Sequence, residues 1–400
     1  MKPFRSFLAT ALLICLTTNT NAAKQAPAIW NIQHLQNVKT GIKENKPVYR
    51  DSYKMLVKNA NAELTKPNPT VMDKPKAAIS GDKHDYISLA RYFWPNPATR
   101  DSMPYISRDG ESNPELNLYD RNRLGNMCNS VCNLSLAYYF TGDKAYSKKA
   151  VSILRTWFLD PKTKVNPNLK YSQVARGHDG DNGRPSGLID TYSYIGLLDA
   201  ITLLDLSDQI PQQDLTEIKA WFRELTKWMQ TAENGIKDDQ ATNNHSIAYD
   251  VQVAMFARFA GNEDVARKVI NAFPERRLAA QIKPDGSQPR ELTRTIAFHY
   301  SVYNIAHMMD MCDLASNMGI KLYDSSNGAI DRAIGWLMPY IDKPKTFPYK
   351  QINDWKTVEK SFLQQIYRAS VYSKDKRYVP LYNQFKAAPE DCVFTLLFVK

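Results

Sequence analysis

Residues 241–261 read ATNNHSIAYDVQVAMFARFAG, a polar stretch that runs into an apolar one. The apolar half predicts a buried helix that ends at Gly261, because glycine readily takes the left-handed conformation that stops a helix. The polar half stands where this helix begins, and Thr242, Asn243 and Asn244 can each accept an unpaired N–H of the first turn. An amide and an imidazole side by side at such a helix start predict a site for an anion.

Apolar residues recur at helical spacing along most of the remaining chain, as in the segment 214–231. No stretch shows convincing strand alternation, and one or two helices are expected between residues 24 and 80. The pattern predicts further helices over 124–141, 146–158, 185–206, 214–231, 244–260, 263–279 with a break at Pro274, 291–317, 329–340, 357–373 and 378–386.

Consecutive helices joined by short turns must bury their apolar stripes against one another. Many antiparallel pairs of this kind predict an all-α fold, the (α/α) toroid or incomplete helical barrel, as a single domain. An open α-solenoid usually shows a fixed sequence period, and none is present. A toroid leaves a groove at one end, built from loops and helix termini.

The N-terminus has the pattern of a secretory signal peptide. Lys2 and Arg5 precede an apolar run, and small residues follow at Thr20 to Ala22. The sequence therefore predicts a signal peptide over 1–22, a domain over 23–400, and export to the periplasm or the medium. No other apolar run predicts a membrane span.

The chain is basic, with 52 Lys and Arg against 41 Asp and Glu and a formal charge of +11. Such a surplus favours an anionic partner. Export argues against nucleic acid, so an acidic polysaccharide is the partner that fits both charge and compartment; the expected oligomeric state is a monomer. The 5 cysteines are too sparse for a disulfide framework and lack zinc spacing, which favours buried free thiols.

Two segments could line a sugar-binding groove. Residues 85–97 place Arg91, Tyr92 and Trp94 on a proline-rich loop, where the rings could stack on pyranoses or simply anchor the loop. Residues 166–184 contribute four polar or aromatic candidates, Tyr171, Gln173, His178 and Arg184. His178, Asp179 and Asp181 also permit a metal site, but the glycines between them indicate a loop, and hard cations need more oxygen ligands. No metal or other cofactor is expected.

The segment 285–304 carries the remaining candidates. Arg294 and Tyr300 are the main ones, and Arg290, Glu291, His299 and Tyr303 accompany them with Asn243 as possible substrate contacts. Six positions of a regular helix, at about 100° each, would put Arg294 and Tyr300 about 120° apart. The two side chains converge only if Arg294 precedes the regular helix or reaches around it.

Four stretches together resemble the alginate lyase superfamily, whose members are helical-toroid polysaccharide lyases. They are residues 139–146 (YFTGDKAY), 154–158 (LRTWF), 166–169 (NPNL) and 243–246 (NNHS). The spacing from His245 to Tyr300 is most similar to that of the newer alginate and glucuronan lyase families. The resemblance implies β-elimination at a uronic acid without a metal.

The side chains themselves agree with this chemistry. Removing the C5 proton of a uronide requires that the neighbouring carboxylate be neutralised, and Asn244, His245 and Arg294 are donors of the right kind. If both proton transfers occur on one face of the sugar, Tyr300 can act first as base and then as acid. If they occur on opposite faces, His245 would be the base and Tyr300 the acid.

Alginate is the first expected substrate, and glucuronan or another glycosaminoglycan-type uronate is the second. Two other classes remain open. A non-catalytic protein that binds acidic polysaccharides would keep the basic groove without a base. A helical-toroid glycoside hydrolase would need two carboxylates across the cleft, for which Asp179, Asp285 and Glu291 are candidates.

Overall fold

The computed structural model describes residues 24–385 and 392–400. The predicted signal peptide over 1–22 lies outside the described residues, as does the last residue of the predicted helix 378–386. The strands are β1 (Ile87–Leu89), β2 (Phe93–Trp94), β3 (Ile106–Ser107) and β4 (Tyr171–Val174). The α-helices are α1 (Ile32–Lys43), α2 (Pro47–Leu64), α3 (Arg121–Thr141), α4 (Lys144–Leu154), α5 (Tyr194–Leu206), α6 (Gln212–Thr231), α7 (Glu233–Asp239), α8 (Asn244–Phe259), α9 (Glu263–Phe273), α10 (Ala279–Gln281), α11 (Pro289–Leu292), α12 (Ala297–Asn317), α13 (Leu322–Ser325), α14 (Ala329–Leu337), α15 (Trp355–Ala369), α16 (Tyr378–Phe385) and α17 (Cys392–Phe398).

Helix α8 is the central element of the ring. Every residue of α8 except His245 is buried, because the helix packs against α5, α6, α9 and α12. A helix that is apolar on all sides must be enclosed by others. Outer helices such as α9 and α15 instead bury one stripe, so the helices form two layers around a continuous apolar core. The predicted (α/α) toroid is confirmed.

Two of the predicted helices differ from the observed ones. The predicted helix 291–317 is two helices, α11 and α12, separated by the non-helical residues 293–296. Residues 185–193 form a 3-10 helix before α5, although the whole segment was predicted as one α-helix. The third, 263–279, changes at Pro274 as predicted: α9 ends at Phe273, and a π-helical turn then leads into α10.

One described segment, residues 185–206, is long and apolar enough by length and composition to cross a bilayer. Most of this segment is enclosed by the rest of the domain. A core helix of a large all-α domain has this character.

The short strands build an arm over one end of the ring. Strand β1 pairs in parallel with β4, and β2 pairs antiparallel with β3. The β2–β3 pair belongs to residues 91–113, called the arm below. A small separate apolar cluster, which includes Leu89, Tyr119 and Val174, holds the base of the arm to the strand β4.

Candidate active site

A cavity of about 690 Å³ lies at one end of the ring. The first turns of α3, α8 and α12 and of the 3-10 helix 185–193 all contribute to its wall. Helix N-termini carry unpaired N–H groups and a positive dipole end, so their convergence favours an anionic ligand. The lining residues are Ala90, Arg91, Tyr92, Phe93, Ser107, Asp109, Arg121, Gln173, Arg184, Pro185, Ser186, Ile189, Lys237, Asp238, Ala241, Asn243, Asn244, His245, Arg294, His299, Tyr300 and Tyr303.

The hydroxyl of Tyr300 lies within a cluster of three polar side chains. Arg294 donates to this oxygen from Nη2 at 3.1 Å, and the hydroxyl of Tyr92 is 2.9 Å away. The guanidinium carbon of Arg294 also lies 3.9 Å from the centroid of the Tyr300 ring. Arg294 precedes α12, which begins at Ala297. The 120° separation expected on a regular helix therefore does not apply, and the two side chains meet.

Arg294 is fixed by a carboxylate of the arm. Its Nε donates to Asp109 at 3.2 Å, and Asp109 also accepts from the backbone N–H of Thr295 at 3.0 Å. Burial by itself would raise the pKa of Asp109, but the hydrogen bonds from Arg294 and Thr295 outweigh it and lower the pKa. The neighbouring Gly110 has φ +84°, and a Cβ there would meet Thr295 Oγ1 at 2.6 Å. Only glycine permits this close approach of the arm.

Asn244 is held by a buried carboxylate on α11. Glu291 accepts from the backbone N–H of Asn244 at 2.7 Å and from its amide Nδ2 at 2.8 Å. Burial raises the pKa of Glu291, although the two donors oppose that change. Asn243 stands at the N-cap position, but its side chain makes no capping bond. The expected asparagine cap is therefore replaced by a distant glutamate, which also fixes the amide plane of Asn244.

His245 faces the cavity beside a second carboxylate. Its Nδ1 lies 3.5 Å from Oδ1 of Asp238, too long for a strong hydrogen bond. Burial raises the pKa of Asp238, while the proximity of His245 opposes the shift.

The phenol of Tyr300 is protonated in the free site. Burial raises its pKa, the hydroxyl of Tyr92 adds to the increase, and the charge of Arg294 works against it. Burial likewise raises the pKa of Tyr303 to about 12. For His299, burial and then the charges of Arg91 and Arg294 lower the pKa, so its imidazole is neutral at pH 7.

Most of the predicted groove residues line this cavity with the four main candidates. They are Arg91, Tyr92, Gln173, Arg184, Asn243, His299 and Tyr303. Gln173 has a left-handed backbone, φ +54°, which is strained for a residue with a long side chain. It is held there because its N–H donates to Ser88 at 2.7 Å and its amide to Asp190 at 3.0 Å.

Five predicted substrate contacts lie outside the lining of this cavity. Tyr171 is buried in the small apolar cluster under the arm, and Glu291 is buried behind Asn244. Trp94 donates to the backbone of Glu111. His178 shares a 2.7 Å hydrogen bond with the carbonyl of Tyr105. Arg290 lies in a neighbouring cavity. Burial or a local partner turns the first four side chains away from the site, whereas Arg290 is exposed and lies on the other side of the wall.

Four charged residues of the site were not predicted from the sequence. They are Asp109 and Asp238, which face Arg294 and His245, Arg121, which donates to the buried Asp190 at 2.7 Å, and Lys237, which pairs with Glu233 on α7. Asp109 and Arg121 come from elements far along the chain from their partners, whereas Asp238 lies on the helix just before His245. The Asp109-Gly110 pair was a possible signal, since such pairs mark tight turns.

The helices form a ring, and their N-termini meet at a basic cavity with imidazole, guanidinium and phenol groups. This combination defines a class, the helical-toroid polysaccharide lyases. Comparison with known protein families identifies the family within this class. The family model described as alginate lyase matches residues 70–347. The chain belongs to the alginate lyase family and is an enzyme of the polysaccharide lyase class.

Solved structures agree with this assignment. An alginate lyase from Bacteroides ovatus is 41% identical, with a TM-score of 0.90, over 94% of this chain and 99% of its own. A histidine-to-alanine variant of alginate lyase A1-III complexed with a tetrasaccharide is 15% identical, with a TM-score of 0.63, over 95% and 98% of the two chains. Alginate lyase A1-III from Sphingomonas species A1 is 16% identical, with a TM-score of 0.54, over 86% and 94%. At these lower identities the likeness shows the fold alone. Among curated proteins, no sequence matches the chain.

The ion pair between Arg294 and Asp109 can be tested by neutralising the carboxylate. We expect Asp109→Asn to lower kcat about 10- to 100-fold with little change in KM, because a donor that stabilises the transition state loses its orientation. Steady-state kinetics on the polymer measure both constants. The control is Glu111→Gln, an exposed carboxylate on the same arm, which should retain wild-type kinetics. Equal kcat values for the two variants would exclude a role for Asp109.

Proposed function

We propose that this enzyme cleaves alginate by β-elimination at a 4-linked uronic acid, without a metal or another cofactor. One observation carries the proposal. The guanidinium of Arg294 and the hydroxyls of Tyr300 and Tyr92 form a cluster in the cavity wall, and the same wall contains Asn244 and His245. The relatives whose structures are solved are alginate lyases, which favours the same polymer here. Glucuronan is the second candidate, because it presents the same carboxylate beside C5.

The first task of such a site is to neutralise the uronate carboxylate. The C5 proton is only weakly acidic while that carboxylate keeps its charge, and the enolate that forms on removal of the proton carries additional charge. Asn244 offers its remaining amide hydrogen, and Arg294 a guanidinium already aligned by Asp109. When Tyr300 is the base, a protonated His245 beside Asp238 adds a third donor. Donors fixed in advance stabilise the developing charge without reorganising during the reaction.

The second task is to move two protons. A base takes the C5 proton, the electron pair forms the C4–C5 double bond, the bond from C4 to the glycosidic oxygen breaks, and an acid protonates that oxygen. Because burial raises the pKa of Tyr300, its phenol carries the proton that the departing oxygen needs. When both transfers occur on one face, Tyr300 must first lose its proton to solvent, and the charge of Arg294 favours the phenolate that remains. When they occur on opposite faces, His245 is the base.

The hydrolase alternative finds little support in the site. Among the described residues, the carboxylates that line the cavity are Asp109 and Asp238, which face Arg294 and His245. A glycosidase needs one carboxyl group protonated as acid and another free as nucleophile or base. Glu291, a suspect from the sequence, is instead held by Asn244.

The cellular setting of the proposal follows from the sequence. The signal-peptide pattern over residues 1–22 supports export to the periplasm or the medium, where the remaining chain would meet the polymer as a monomer.

No described group of three or more His, Cys, Asp or Glu side chains is arranged to hold a metal ion.

The reaction class is tested by the product. Elimination leaves a double bond conjugated with the carboxylate, which absorbs ultraviolet light, and hydrolysis leaves none. We expect purified enzyme to produce this absorbance from alginate, and more slowly or not at all from glucuronan, hyaluronan and heparan-type polymers. New reducing ends without ultraviolet absorbance would point to hydrolysis, and polymer binding without new ends would point to a binding protein.

The role of Tyr300 is tested by removing its hydroxyl. We expect Tyr300→Phe to lower kcat by about 10² to 10⁴ while substrate affinity is retained, because the proton carrier is lost and the ring remains. Tyr349→Phe, at an exposed tyrosine outside the cavity lining, is the control and should behave as wild type. Substantial turnover by the Tyr300→Phe enzyme would transfer the acid role to another group.

Metal independence is tested by chelation. We expect full activity after exhaustive treatment with EDTA followed by assay in metal-free buffer, since protein donors alone neutralise the carboxylate in this mechanism. A loss of activity that added calcium or zinc restores would contradict it.

A further inference from the structure

A second cavity of about 430 Å³ lies directly beside the catalytic one. Ala241 lines both, so a single stretch of backbone before α8 forms the wall between them. This stretch, Gln240 to Asn243, leads straight into Asn244 and His245. The second cavity is lined by Gln240, Ala241, Thr242, Arg276, Arg277, Ala280, Gln281, Lys283, Pro289 and Arg290.

The wall of the second cavity is strongly cationic. It contains Arg276, Arg277, Lys283 and Arg290, and its lining includes no carboxylate. Arg276 and Arg277 are already neutralised from behind by Asp239 and Asp250, with 2.7 Å between Arg277 Nε and Asp250. These two arginines therefore form a fixed part of the cavity wall, and their positive charge is balanced by the two aspartates.

Lys283 and Arg290 differ from that pair. Both are exposed, and among the described residues neither forms an ion pair, although the charge of Lys283 acts on the nearby carboxylate of Asp285. The nearby Asp285 is engaged in a turn, where it accepts from the backbone and hydroxyl of Ser287 at 2.9 and 2.8 Å. Two unpaired cations at the rim of a polar cavity favour an anionic group from outside the chain.

The position of Arg290 connects this cavity with the catalytic one. Arg290 and Glu291 are neighbours on the short helix α11. Glu291 binds Asn244 in the catalytic wall, while Arg290 faces the second cavity. A polymer that occupies the catalytic cavity and continues past Ala241 would bring the carboxylate of another sugar to Lys283 and Arg290.

We propose that the second cavity is a distal subsite that binds the carboxylate of a uronic acid away from the cleaved bond, with Lys283 and Arg290 as its ligands. The proposal rests on the proposed function, because it takes the substrate to be a uronate polymer. It predicts that affinity increases once an oligosaccharide is long enough to enter both cavities.

The test compares binding of alginate oligosaccharides of two to eight sugars by calorimetry. The host is the Tyr300→Phe enzyme, with and without the double substitution K283Q/R290Q. We expect the double substitution to weaken binding of the longest oligosaccharides by about tenfold and that of the disaccharide by less than about twofold, because exposed ion pairs each contribute modestly. The difference should shrink with added salt.

A matched control removes two positive charges elsewhere. K54Q/K58Q on α2 alters exposed lysines for which no ion pair is recorded, and it should leave binding unchanged at every length. Equal weakening of short and long oligosaccharides by K283Q/R290Q, or the same loss in the control, would overturn the subsite in favour of a general charge effect. No change at any length would overturn it outright.

The outcome is separable from that of the proposed function. Ultraviolet-absorbing product from alginate with wild-type enzyme decides the reaction, whereas length-dependent binding decides the subsite. A length-dependent loss without any product would leave the subsite standing and remove the lyase reaction.

Discussion

The guanidinium of Arg294 joins the two parts of the molecule that form the catalytic cavity. It lies over the ring of Tyr300 on α12 and donates to its hydroxyl from Nη2 at 3.1 Å, while Asp109 on the arm accepts from Nε and from the same Nη2. A half-buried arginine that bonds both a carboxylate and a phenol has few alternative positions, because its planar fork fixes the geometry of each bond. The arm, the start of α12 and the phenol are therefore set relative to one another by a single side chain.

The ring of helices provides the positive potential of the cavity and fixes the positions of Asn244 and His245. Four helical segments begin at the cavity, so their dipoles and unpaired N–H groups give it a positive potential that does not depend on any one side chain. The burial of α8 on all sides keeps Asn244 and His245 in place. Glu291 adds a bidentate contact that a capping asparagine could not provide, since it reaches Asn244 from another helix.

The sequence was a good guide to the ring and a partial guide to the site. Helical periodicity depends on local spacing, so most helices and the toroid could be predicted from residues close in the chain. The interruption at residues 293–296 could not, because the backbone N–H and hydroxyl of Thr295 bond Asp109, 186 residues away. For the same reason Asp109 was missed, while Asn244 and His245, which form a compact local motif, were found. Asp238 was missed although it is close to His245 in the chain, because nothing in the local pattern shows that the turn between α7 and α8 points its carboxylate at the imidazole. Tyr171 and Trp94 looked like sugar contacts because composition alone does not reveal which face of a loop is buried.

The central claim is that the cavity neutralises a uronate carboxylate so that the neighbouring proton can be removed beside Tyr300. A crystal structure of the Tyr300→Phe enzyme with a bound alginate tetrasaccharide tests it most directly. The account predicts one carboxylate within hydrogen-bonding distance of Asn244 and Arg294, and the C5 atom of that sugar facing either the ring at position 300 or the imidazole of His245. A tetrasaccharide whose carboxylates all lie away from Asn244 and Arg294 would contradict the account.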